Sequence, residues 1–128
     1  MRIGFTGTRK GLTVQRAVQL RNALETISPE SVVHGDCIGA DAQFHDICRE
    51  LGIRPIELRP CDIASQRAGC IADKVYPVKP PLERNRDIVN DCDMLIACPS
   101  GHTEILRSGT WQTVRYARKV GRIMLVLF

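Results

Sequence analysis

The stretch Arg2-Ile3-Gly4-Phe5-Thr6-Gly7-Thr8-Arg9-Lys10-Gly11-Leu12-Thr13 decides the fold. Arg2–Thr6 reads as a short strand beginning almost at the first residue. Gly7–Gly11 breaks it with two glycines and two cations. Thr13 can then cap a helix whose apolar positions Val14, Ala17, Val18, Leu24 and Ile27 follow a mostly helical period. A strand, a glycine turn and a helix in immediate succession form the opening unit of an α/β fold.

The same alternation runs outward from that unit. Ser28-Pro29 stops the first helix, Ser31–His34 is a second strand, and Gly35–Gly39 a tight loop. Ala40, Phe44, Ile47, Cys48 and Leu51 share one face of a second helix, which Gly52 ends. Ile53–Leu58 is a third strand. Its Pro55 has no N–H for a ladder, so this strand is expected at a sheet edge. Arg59–Pro80 has no sustained period and reads as a long irregular loop. Pro81 suits the first turn of a helix over Leu82–Asn90. Asp93–Cys98 is a largely apolar fourth strand, hence central. After the irregular Pro99–Ser108, a helix spans Gly109–Val120 with Trp111, Val114 and Ala117 on one side. Gly121 ends it and Arg122–Phe128 is the last strand.

These elements predict an α/β fold, a single Rossmann-like three-layer domain over residues 1–128. Its five-stranded, mainly parallel sheet is expected in the order 3-2-1-4-5 with right-handed crossovers. A ligand crevice then lies beyond the strand C-termini where the order reverses, between the first and fourth strands. The loops Gly7–Gly11, Gly35–Ala40 and Pro99–Thr110 converge there.

Composition is compatible with this reading. The chain has 128 residues, 44% hydrophobic and 25% charged, which excludes a disordered segment. Eighteen Lys+Arg against 14 Asp+Glu give a net charge of +4, suited to an anionic ligand. No apolar run approaches the roughly 18 residues of a membrane helix, so no membrane partner is expected. The N-terminus lacks an apolar leader, which points to a cytoplasmic protein. The six cysteines, at 37, 48, 61, 70, 92 and 98, contain no Cys-x-x-Cys pair. They read as reduced thiols used as small hydrophobes, with a Cys61–Cys70 pairing as the alternative.

Several residues can carry chemistry. Backbone amides of the Gly7-Thr8-Arg9-Lys10 turn face a helix start, where phosphate is favoured; Thr8 adds a hydroxyl and Arg9 a bidentate fork. The turn is neither Gly-x-Gly-x-x-Gly nor a P-loop, and a plain glycine turn with a solvated Arg9 accounts for it equally. Ser108-Gly109-Thr110 opens the last helix and offers a second set of amides. Two helix starts facing one crevice indicate a phosphorylated ligand. Trp111 at helical spacing with Val114 fits the core better than a base stack. Arg84-Asn85-Arg86 begins the third helix, where cations oppose the dipole, so a phosphate clamp or an interface is indicated over a solvated start. Gly35 lies in the second loop. Asp36, at a strand C-terminus, can take a ribose hydroxyl or cap that loop. Asp41 and His45, four apart on one helix face, read as a hydrogen-bonded pair; no third ligand converges on them, so no metal is expected. Arg115, Arg118, Lys119 and Arg122 complement the last helix's C-terminal dipole.

Taken together, these motifs resemble the SLOG superfamily. This group includes the Rossmann domain of DNA-processing protein A and the "lonely guy" phosphoribohydrolases. Gly7-Thr8-Arg9 looks like the family's Gly-Ser/Thr-Arg turn. His34-Gly35-Asp36-Cys37-Ile38-Gly39-Ala40-Asp41, with His45, is similar to its Gly-x-x-x-Gly-x-Asp…His segment. Arg84-Asn85-Arg86-Asp87-Ile88 looks like its Arg-Asn-Arg-x-Ile helix, and Ser108-Gly109-Thr110 like its small-residue phosphate turn. The resemblance spans nearly the whole chain and implies a nucleotide or nucleotide-derived ligand, with no separate cofactor. One departure bears on activity. The phosphoribohydrolases carry Pro-Gly-Gly-x-Gly-Thr-x-x-Glu, whose glutamate takes part in N-glycosidic cleavage. Here Pro99-Ser100-Gly101 is separated from Gly109-Thr110 by His102–Ser108, and Thr113 stands at the glutamate position.

Three functions follow as expectations. The first is a module that senses or sequesters a nucleotide-derived small molecule. The second is a nucleoside-phosphate N-glycosidase in which Glu104, inside the inserted loop, or Asp36 supplies the catalytic carboxylate. The third is single-stranded nucleic-acid binding, for which six aromatic residues provide few stacking platforms. The apolar last strand near a sheet edge points to a homo-oligomer.

Overall fold

β1 (Arg2–Gly7) is the centre of the molecule because both of its faces are buried. Ile3 and Phe5 point to one side of the sheet, and Phe5 stacks on Phe44 with ring centroids 4.3 Å apart. Gly4 points to the other side, where a Cβ would come within 2.9 Å of the Cys92 sulfur. The missing side chain is what lets the helix ending at Asn90 approach the sheet. Burying a side chain such as Phe5 or Phe44 stabilises the fold by roughly 1.5–3 kcal/mol.

The structure is a computed structural model that describes residues Met1–Phe128. After β1 come α1 (Val14–Ile27), β2 (Ser31–His34), α2 (Ala40–Glu50), β3 (Ile56–Leu58), β4 (Lys74–Val75), α3 (Pro81–Asn90), β5 (Met94–Cys98), α4 (Gly109–Val120) and β6 (Ile123–Val126). Every strand pairing is parallel. Helices α1 and α2 cover one face through Leu20, Leu24, Phe44 and Cys48, and α3 and α4 cover the other through Ile88, Val89, Val114 and Ala117. Thr13 caps α1 as expected, its hydroxyl accepting from the Arg16 N–H at 3.2 Å. Trp111 is buried beside Ala97 and Val114. None of the six cysteines forms a disulfide. No helix is long and apolar enough to cross a membrane.

The sheet has six strands in the order β4-β3-β2-β1-β5-β6, not five in the order 3-2-1-4-5. The extra strand lies inside the stretch expected to be irregular. Glu57 aligns with Lys74 and Leu58 with Val75. Consequently the third strand is internal and not at the edge that Pro55 suggested. Pro55 stands just before β3, where its missing N–H leaves no gap in the ladder, and its carbonyl accepts from Val32 at 3.1 Å.

Candidate functional site

The reversal in strand order falls between β1 and its neighbours β2 and β5, and a crevice of about 340 Å³ opens there beyond the strand C-termini. The β1–α1 turn forms its floor. Thr8 donates its N–H to Cys98 O at 3.0 Å, and its own carbonyl accepts from Gly11 and Ala40 at 3.2 and 3.0 Å. The turn is pressed against the start of α2. Gly39 has φ +89°, and a Cβ there would run into the Arg9 carbonyl. Arg9 and Lys10 are exposed on the crevice and pair with no carboxylate, and so is Arg107 from the β5–α4 loop.

The opposite wall is the start of α4. Ser108 caps it, its Oγ accepting from the Trp111 N–H at 3.3 Å. The N–H groups of Gly109 and Thr110, in the first turn, have no partner within the helix. They carry the positive end of the helix dipole into the crevice.

Between these walls stands Asn85. Arg84 donates Nε to Asn85 Oδ1 at 2.7 Å. A guanidinium has no acceptor, so the oxygen of the amide must face it and the NH₂ must face away. Asn85 Nδ2 accordingly lies 4.0 Å from where a Gly109 Cβ would stand, beside the free amides of α4. Arg84 itself is 6% exposed and donates to Gly35 O at 2.8 Å and to Arg59 O at 3.4 Å. Its place is that of a buried strut between α3 and the end of β2, not of an open phosphate clamp.

In sequence, the chain matches no family model and no curated protein. Solved structures do resemble it. TM1055, a structural-genomics target, superposes with a TM-score of 0.69 at 14% identity over 96% of this chain and 71% of that one. A molybdenum cofactor binding protein from the phototrophic bacterium Rippkaea orientalis gives 0.74 at 17% identity, covering 98% and 74%. DNA processing protein A from Streptococcus pneumoniae gives 0.72 at 20% identity, covering 98% of this chain and 49% of its own. The chain shares the fold of these three proteins. At these identities the likeness is one of fold.

Within this fold, Gly7, Thr8, Arg9, Lys10, Gly35, Arg84, Asn85, Ser108, Gly109 and Thr110 all line the crevice. Three other expected residues do not. Asp36 is fully buried at φ +56° and accepts from the Cys70 N–H at 2.9 Å, the Gly69 N–H at 3.3 Å and Arg67 at 3.4 Å. It fastens the β3–β4 loop to the end of β2, leaving its oxygens engaged. Arg86 faces outward over the Tyr116 ring, 5.3 Å from its centroid. Glu104 is 43% exposed and pairs with Arg115 at 3.2 Å and Arg118 at 3.8 Å, away from the crevice.

One acid does line the crevice. Asp41, 5% exposed in the first turn of α2, accepts from the Cys37 N–H at 3.1 Å. Burial raises its pKa to about 6 against the lowering effects of Arg84 and its backbone donors. The expected Asp41–His45 pair is absent, because His45 turns to His34: His34 Nε2 and His45 Nδ1 are 2.9 Å apart. Gln66, from the stretch that looked irregular, and Gln112, one residue after Trp111, also reach the crevice. An amide is ambiguous between surface and site in sequence, so neither carried a signal.

Cys70 comes near the two imidazoles, and their donor atoms lie within 4.8 Å of one another. Hydrogen bonding argues against a ligand set. The Asp36 N–H donates to His34 Nδ1 at 3.0 Å, so neutral His34 carries its proton on Nε2 and donates to His45 Nδ1. His45 must then be protonated on Nε2, which is buried without a partner. Neither imidazole keeps a free lone pair for an ion. Burial, with His45 beside it, lowers the His34 pKa to about 3, holding it neutral.

Proposed function

We propose that this chain binds a nucleotide or nucleotide-derived small molecule in the crevice, as a sensing or sequestering module. The observation that carries this reading is the convergence, in one crevice, of the β1–α1 turn, the free N–H groups of α4 and the inward NH₂ of Asn85. Backbone and amide donors of this kind recognise phosphate, and the unpaired Arg9, Lys10 and Arg107 add positive charge. Leu82 and Ile105 supply apolar wall for a base or sugar. The volume of about 340 Å³ lies at the lower end of small-molecule sites. Among the structural neighbours, one is named for a molybdenum cofactor and one for DNA processing. Titration calorimetry against nucleoside mono- and diphosphates, cyclic nucleotides and ADP-ribose-type compounds tests the reading. At least one member is expected to bind, and more weakly as salt rises; no binding by any of them overturns it.

A second reading, hydrolysis of a nucleoside phosphate at its N-glycosidic bond, rests on Asp41 in place of Glu104. A carboxylate at the crevice floor would stabilise positive charge at the sugar C1′ while water adds there and the base departs protonated. Release of free base that survives unchanged in Asp41→Asn would remove Asp41 from that role.

A further inference from the structure

A second depression of about 360 Å³ lies between α3 and α4 and adjoins the crevice at Leu82, Asn85 and Gln112, which line both. Its remaining charged groups are Arg86, Arg115 and Lys119, and no carboxylate lines it. Arg115 is held by Glu104 and donates to Leu106 O at 2.7 Å. Arg86 and Lys119 are exposed and form no ion pair; Arg86 only rests over Tyr116. Unpaired cations beside the crevice attract a second anionic group of a ligand seated in it.

We infer that the α3–α4 groove receives the second phosphate of an extended ligand, a dinucleotide whose first nucleotide sits in the crevice. The inference rests on the crevice reading above and specifies its ligand class. The crevice volume, at the low end of ligand sites, suits a single nucleotide. Asn85 stands at the junction, its NH₂ turned to the α4 start and its backbone on the helix that carries Arg86. Gln112 faces it from α4, four residues after the Ser108 cap and seven before Lys119. A chain of two nucleotides leaving the crevice over these two amides therefore meets Arg86 and Lys119 on opposite banks.

Titration calorimetry of the full chain with nucleoside 5′-monophosphates and the matching 5′-phosphorylated dinucleotides tests this. The dinucleotide is expected to bind about tenfold tighter, the scale of one charge-assisted contact. The double substitution Arg86→Glu and Lys119→Glu is expected to abolish that advantage while leaving mononucleotide affinity within about twofold. Equal affinities for the two ligands in the unsubstituted protein overturn the groove assignment but leave the crevice reading intact. Failure of every mononucleotide and dinucleotide to bind overturns both. Light scattering separates the remaining occupant: a dimer that the double substitution dissociates makes the groove a contact between two copies and overturns its role in ligand binding.

Discussion

Arg84 and Asn85 are consecutive residues with divided labour: the guanidinium of the first donates to Oδ1 of the second at 2.7 Å and turns its NH₂ toward the α4 start. Asn85→Ala is therefore expected to lower nucleotide affinity about tenfold with little change in melting temperature. Asn85→Asp keeps the bond to Arg84 but faces the crevice with a carboxylate, and is expected to abolish binding of phosphorylated ligands. Calorimetric affinities beside thermal melts check both; a large fall in stability for Asn85→Ala would contradict this division.

Arg84 is the structural half of the pair. Arg84→Ala would leave the carbonyls of Gly35 and Arg59 without their side-chain donor and Asn85 without its orienting group. Loss of a buried group so engaged is expected to cost about 3–5 kcal/mol. Urea denaturation at pH 7 measures this, and a cost below about 1 kcal/mol would show that Arg84 is not a strut.

Two buried groups give opposing pH dependences. Asp41 has its folded pKa raised from 3.8 to about 6, so its stabilising contribution is complete below pH 4 and is lost as pH rises through 6. His34 has its folded pKa lowered from 6.5 to about 3, so its contribution is complete above pH 6.5 and is lost as pH falls. Between about pH 4 and 6 the two slopes cancel. Asp41→Asn removes one of them, and stability of that variant is expected to gain about 1.4 kcal/mol per pH unit relative to the unsubstituted protein in this window. Parallel pH profiles for the two proteins would show that Asp41 is ionised in the folded state throughout.

Gly39→Ala tests how the β1–α1 turn is held. The position combines φ +89° with a Cβ directed into the Arg9 carbonyl. A loss of about 2–4 kcal/mol is expected, together with weakened nucleotide binding, because the turn must shift away from α2. Unchanged melting and binding would mean the turn is not clamped there.

At the sheet edge, β6 presents Ile123 with 63% of its surface exposed. We propose that a second copy covers this edge. Light scattering is expected to give a dimer that Ile123→Lys converts to monomer without loss of helical signal; a monomeric unsubstituted protein contradicts it.

Much of this arrangement was legible in the residues because local and tertiary preferences agree. The β1–turn–α1 unit, the Thr13 cap, Gly121 at the end of α4 and the crevice at the order reversal all follow from short-range chemistry. Lys74–Val75 was not legible, since two residues cannot display alternation and only their pairing with β3 makes them a strand. Pro55 misled for a related reason: a proline forbids a ladder bond only within a strand, and here it stands one residue before. The partners of Asp41 and His45 are set by β2, which places His34 within reach of His45 and leaves Asp41 to the loop amide of Cys37. Glu104 gave no sign that Arg115 and Arg118 would hold it outside.

The proposal stands or falls on one pocket that takes a phosphate between the turn after β1, through the unpaired Arg9 and Lys10, and the turn after β5, through the free N–H groups of Gly109 and Thr110. Amide chemical shifts, followed as a nucleoside 5′-monophosphate is added to the isotope-labelled chain, test it most directly. Saturable shifts are expected, concentrated on Thr8, Arg9, Gly109, Thr110 and the Asn85 side-chain NH₂. Shifts absent from both turns, or confined to a surface away from them, would contradict it.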